Sequence, residues 1–162
     1  MPEILKRLAV SFVVAGVLVA WNVRAERDVV GAQPRKPMVV TRLFTGPDGQ
    51  THAETINVKL EQPEVTSGGR SSASELSDIV KVSGLQFRRT SPTYSLDFHT
   101  APTRQYVITL SGRGEVELGD GTKIPLTPGH ILLAEDTTGK GHISRGVGSE
   151  DRLSLFVQLA GR

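Results

Sequence analysis

The side chains with the widest chemical reach in this sequence are its histidines. The 162-residue chain has four of them, His52, His99, His130 and His142, and it has no cysteine. Imidazole ligates transition metals and moves protons near neutral pH. The lack of cysteine removes disulfides, thiolate metal sites, a cysteine nucleophile and a lipid-anchored amino terminus. It is compatible with an oxidising compartment. No nucleophile–base pair is evident, and the glycine-rich segments read as turns rather than as a phosphate cradle.

His99, Ala101, Gln105, Val107 and Thr109 share sequence parity. An extended chain running on through Pro102 would turn all five to one face. His and Gln on an apolar inner face need a ligand, a water or each other. The barrel interior is therefore the expected pocket, with Ala101, Val107 and Thr109 lining it. Arg104 and Tyr106 alternate with this set and point away from it. Arg104 reads as a surface ion-pair residue, and would grip an anionic substrate only if the chain rotated at Pro102.

His52 follows a turn at residues 46–49 and shares parity with Glu54. It either completes a set with His99 and His142 or sits on the surface beside a hairpin. His130, after Pro128-Gly129, reads as a turn or rim residue. Glu135, Asp136 and Lys140 surround Thr137-Thr138-Gly139; the acids read as loop caps, with a general base as the other option.

The elements that must position these groups are short strands. Apolar, β-branched or alternating runs occupy residues 38–44, 53–60, 85–89, 95–101, 105–110, 115–118, 123–126, 131–134 and 153–159. Turn-forming clusters separate many of them, including Gly46-Pro47-Asp48-Gly49, Ser111-Gly112-Arg113-Gly114 and the hairpin signal Gly119-Asp120-Gly121. Residues 61–77 are poor in apolar side chains and form a long loop, either mobile or a functional flap. No amphipathic helix follows residue 37. An all-β sandwich or barrel is the predicted class.

Residues 98–112 (FHTAPTRQYVITLSG) and 129–142 (GHILLAEDTTGKGH) resemble the two motifs of the cupin superfamily, closest to small bacterial single-domain cupins, and the likeness extends over most of residues 39–159. The resemblance implies a cupin-like double-stranded β-helix, a jelly-roll barrel. It places His99 at the first histidine position, Ala101 at the second, Gln105 at the acid, Gly112 at the glycine and His142 at the histidine of the second motif. Cupin metal sites commonly use three histidines and a glutamate, so two of the four ligands are replaced here. A neutral Gln offsets none of an ion's charge. The implied metal set is His99, Gln105 and His142, with His52 as a further candidate, for one divalent ion (Fe, Mn, Zn, Ni or Cu). Cupins also commonly form homodimers.

Residues 8–21 (LAVSFVVAGVLVAW) are uninterruptedly apolar or small after Lys6 and Arg7. That is short of the roughly 20 residues a spanning helix needs, and has the layout of a signal peptide. The expected organisation is an export segment at 1–25, cleaved or retained as a membrane anchor, a polar linker at 26–37 and a barrel at 38–162. Taking Lys6, Arg7, Arg24 and Glu3 from the 19 basic and 17 acidic side chains leaves 16 of each. With no net field or basic stripe, nucleic-acid binding loses its main electrostatic term.

The sequence thus describes a periplasmic or secreted domain that binds a small molecule. Two readings stay open: a metal-dependent oxygenase, isomerase or lyase, and a non-catalytic, metal-free binding module. Cleavage after Val23-Arg24-Ala25 predicts that the exported protein begins at Glu26. An intact mass retaining residues 1–25 would instead show a membrane-tethered protein.

Overall fold

The computed structural model describes residues 35–61 and 75–161. The expected export segment, most of the linker and residues 62–74 of the expected long loop lie outside the described residues. Ten strands make up the rest: β1 (Val39–Thr45), β2 (Thr51–Asn57), β3 (Val82–Thr90), β4 (Ser95–His99), β5 (Gln105–Ser111), β6 (Arg113–Glu117), β7 (Lys123–Leu126), β8 (Ile131–Glu135), β9 (His142–Val147) and β10 (Arg152–Leu159).

These strands form two sheets, with order β2-β1-β8-β5-β10-β3 in one and β4-β9-β6-β7 in the other. From β4 onward the chain passes repeatedly between them. All pairings are antiparallel except that of β1 with β8. This is an all-β, jelly-roll-like fold. Alternation of burial follows from the pleat: in β5, Gln105, Val107 and Thr109 are buried, and in β7, Ile124 and Leu126.

The core joins the two sheets. Leu43, Val107 and Leu132 come from the six-stranded sheet, and Val116, Ile124 and Leu126 from the other, with Leu118 beside them and Phe156 packed against the group. Between β5 and β6 the chain changes sheets at Gly112, with φ +68° and the carbonyl of Asp151 standing where a Cβ would be. Only glycine fits there. Gly112, expected at a turn, thus has a local steric cause.

Two features depart from the sequence expectation. Strand β9 (HISRGV) was not predicted, since Gly146 and three polar residues dilute its pattern; pairing with β4 on one side and β6 on the other makes it a strand regardless. The predicted run through residues 95–101 stops at His99, and residues 100–104 carry the chain across to the other sheet.

The outward face of the six-stranded sheet is also more apolar than its period suggests. On β10 the leucines Leu153, Leu155 and Leu159 alternate with Arg152, Phe156 and Gln158, and it is the latter set that lines the interior. Leu85, Phe87, Leu110 and Leu153 are exposed, Phe87 to 80 %.

Leu43 is fully buried between the sheets. Leu43→Ala should lower the unfolding free energy by about 3 kcal/mol, the cost of lost burial plus a residual cavity. Urea denaturation monitored by Trp-independent far-UV circular dichroism measures it.

Candidate functional site

A cavity of about 370 Å³ opens between the sheets. His99, Ala101, Gln105, Val107 and His142 all line it, so the structure brings these predicted residues together. Thr109 is buried on the same face of β5 but does not reach the cavity wall. Single parity is not what unites them: His99 and Gln105 belong to different sheets, and the 100–104 crossover sets both toward the cavity.

His99 and His142 are directly opposed residues of the antiparallel β4–β9 pair. Opposed residues share a face of the sheet, and the two rings lie 4.5 Å apart between centroids. Gly141 makes this approach feasible. It has φ +77°, and a Cβ there would collide with the His99 carbonyl oxygen.

Each imidazole is held by its Nδ1. His99 Nδ1 donates to the Asp97 carbonyl oxygen at 2.8 Å. His142 Nδ1 bonds Asp136 Oδ2 at 2.6 Å. A carbonyl or carboxylate partner requires the proton on Nδ1, which leaves the lone pair of each neutral ring on Nε2. Neither Nε2 has a hydrogen-bond partner among the described residues. Burial holds the His99 imidazole below its ordinary pKa of 6.5, the Asp97 carbonyl opposes this, and proximity to His142 adds to it. His99 therefore favours the neutral form that presents this lone pair.

Behind His142 lies a residue that sequence reasoning misjudged. Asp136 was expected to cap a loop, yet its side chain is fully buried. Its Oδ2 also accepts from Thr51 Oγ1 at 3.0 Å, and its backbone oxygen accepts from the Ala101 N–H at 3.1 Å. A buried carboxylate needs such partners, and here Oδ2 has two while Oδ1 has none among the described residues. Asp136 fixes the orientation of the His142 ring, as the carboxylate of a carboxylate–histidine dyad does.

Glu135 faces the other way, accepting from Arg42 Nε at 2.6 Å and from Arg104 Nε at 2.7 Å. Burial pushes its carboxyl up, but the bonds from Arg42 and Arg104 outweigh this and hold it below the usual range. Arg104 is thus an ion-pair residue, as its parity suggested, and its charge is engaged.

His52 stands apart from the cavity. It is exposed on β2, bonded to Asp48 at 3.0 Å and tilted against the Phe44 ring. His130 is half-buried at the strand-end turn, with Nε2 at 2.9 Å from Thr41 Oγ1. Neither lines the cavity. Among the described residues no three His, Asp or Glu side chains converge on one point. The wall offers a metal two imidazole nitrogens and the neutral Gln105 amide, a donor set that does not match a three-histidine, one-glutamate site.

Sequence reasoning did not anticipate Arg88, Tyr94 and Arg152 at the cavity. The parity of Arg152 with Ser154, Phe156 and Gln158 on the last strand was the available signal.

No protein-family model matches the chain, and no curated protein is significantly similar to it. Several solved structures are similar. One is an uncharacterized conserved protein with a double-stranded β-helix domain from Klebsiella pneumoniae, 23% identical over 48% of this chain and 67% of that one, with TM-score 0.39. Another is a cupin 2 conserved barrel domain protein from Leptotrichia buccalis, 13% identical over 79% of this chain and 44% of that one, with TM-score 0.39. A third is an RmlC-like cupin protein from Desulfovibrio desulfuricans, 17% identical over 59% of this chain and 97% of that one, with TM-score 0.35. None of these likenesses bears on the chemistry of the cavity.

Two expectations follow for the histidine pair. In an NMR titration His99 should protonate below 6.5. Because its folded pKa is depressed, its contribution to stability is complete above 6.5 and is lost as pH falls through that range. A His99 midpoint at or above 6.5 would contradict the assignment. Replacing Asp136 by Ala leaves His142 and Thr51 without their shared acceptor and should cost about 3 kcal/mol in urea unfolding.

Proposed function

We propose that this domain is an exported binding barrel for a small organic molecule, held in the cavity between the two sheets. The observation that carries the reading is the His99–His142 pair. Both Nδ1 atoms are tied down inside the protein and both Nε2 lone pairs are left for a ligand. Such a wall accepts hydrogen bonds from a ligand O–H or N–H. Val107, Val116, Leu126, Leu132 and Phe156 supply the apolar part of the lining.

The chemistry available at His142 goes one step further. A proton taken up at Nε2 would leave an imidazolium beside the Asp136 carboxylate, which is the arrangement of a general base. Proton abstraction from a bound molecule is the reaction this pair supports if the domain is an enzyme.

The anchored Nδ1 atoms also favour a second reading, since metal-ligating histidines are oriented by just such partners. His99 and His142 would then hold the ion, with Gln105 as a weak third ligand and the remaining positions left to substrate or water. The ion would act as a Lewis acid there.

Thermal-shift titration with a metabolite panel, with and without a chelator, separates these readings. Stabilisation by an organic ligand that chelator leaves intact is expected, and His142→Ala should abolish it. A shift lost on chelation, together with near-stoichiometric transition metal in untagged protein, would establish the metal-dependent reading instead.

A further inference from the structure

The same cavity carries a charge that nothing among the described residues balances. Arg152, at the start of β10, is only 4 % exposed and lines the cavity. No carboxylate pairs with it among the described residues, and its Nε and Nη1 have no hydrogen-bond partner there. A guanidinium stays protonated at any accessible pH, so burial cannot neutralise it. A buried, unpaired cation is among the costliest groups a fold can retain.

The surroundings are orphaned as well. Of the seven buried side-chain polar atoms without a partner among the described residues, five belong to Arg152, Thr90, Ser154 and Thr109. These residues sit together by register: Thr90 opposes Arg152 across β3 and β10, and Thr109 opposes Ser154 across β5 and β10. Gly114 gives the guanidinium its room, since a Cβ there would stand 3.1 Å from Arg152 Nε. A second cation, Arg88, lies at the exposed edge of the cavity, with Nη2 bonded to the Tyr94 hydroxyl at 3.1 Å and its guanidinium 5.3 Å from the Phe156 ring centre. No Asp or Glu lines the cavity.

We infer that the ligand is a small organic anion whose carboxylate or phosphate oxygens are received by the buried Arg152, with Arg88 at the entrance. The rest of the molecule extends toward His99 and His142. This deepens the binding reading above and rests on it. The counter-charge missing among the described residues is supplied by the ligand, whose oxygens accept hydrogen bonds from the free N–H groups in charge-assisted pairs. The two arginines also raise the local concentration of anions at the opening.

The test uses the exported protein as purified, at low ionic strength. The probes are formate, acetate, benzoate, inorganic phosphate and phenyl phosphate, with benzamide as the neutral counterpart of benzoate. Calorimetry should show saturable binding of carboxylates or of phosphates, the two arms identifying the headgroup, and markedly weaker binding of benzamide. Arg152→Gln should weaken anion binding about tenfold or more, the loss expected for one charge-assisted bond. Without ligand, Arg152→Met should melt no lower than the parent, because it removes an unbalanced charge. Should both variants fail to fold, the parent still decides the matter: the Arg152 Nε–H resonance must move on addition of the bound anion. Benzamide binding as tightly as benzoate, with no movement of that resonance, would overturn the anion assignment and leave the binding barrel standing. Absence of binding by every probe would overturn the anion assignment, and the metabolite panel would then decide the binding barrel alone.

Discussion

The carboxylate of Asp136 has no route to solvent, and its neighbours are arranged accordingly. It lies just past the end of β8 and receives a hydroxyl from β2 and an imidazole from β9, while the backbone carbonyl of the same residue takes an N–H from the crossover that leads out of β4. Four separate stretches of chain, drawn from both sheets, meet at one residue. The demand that a buried negative charge be satisfied therefore becomes a positional constraint on the histidine that faces the cavity.

The cavity owes its polarity to the way the sheets are closed. Apolar side chains from both sheets fill the region around Leu43, Val116 and Leu132, and the polar residues are displaced toward the histidine end and the Arg152 wall. Imidazole lone pairs at one place and unpaired guanidinium N–H groups at another give the pocket an acceptor end and a donor end. A ligand with complementary groups would be oriented as well as held.

Much of this was legible before the fold was known. The strand pattern and the glycines at turns conveyed an all-β barrel, and the motifs around His99 and His142 identified the two imidazoles that meet. What escaped was set by tertiary contacts. Strand β9 has a diluted apolar pattern and exists through pairing on both sides. Asp136 follows an acid and precedes a polar turn, so in sequence it looks like a cap; only burial reveals its partner. Arg152 resembles an ordinary surface charge beside Asp151, and the leucines alternating with it suggest that they, and not it, face inward. His52 had the right chemistry and the wrong sheet face.

The paired acids at the end of β8 have a further consequence. Glu135 turns outward to two arginines, and Asp136 turns inward to a histidine and a threonine. A slip of one residue in the pairing of β8 with β1 or β5 would exchange them. The longer acid would then be forced into a space built for the shorter one, and two guanidiniums, an imidazole and a hydroxyl would lose their acceptors at once. Two adjacent side chains of like charge and unequal length thus act as a proofreading mark, which admits one alignment of the strand and penalises its nearest error.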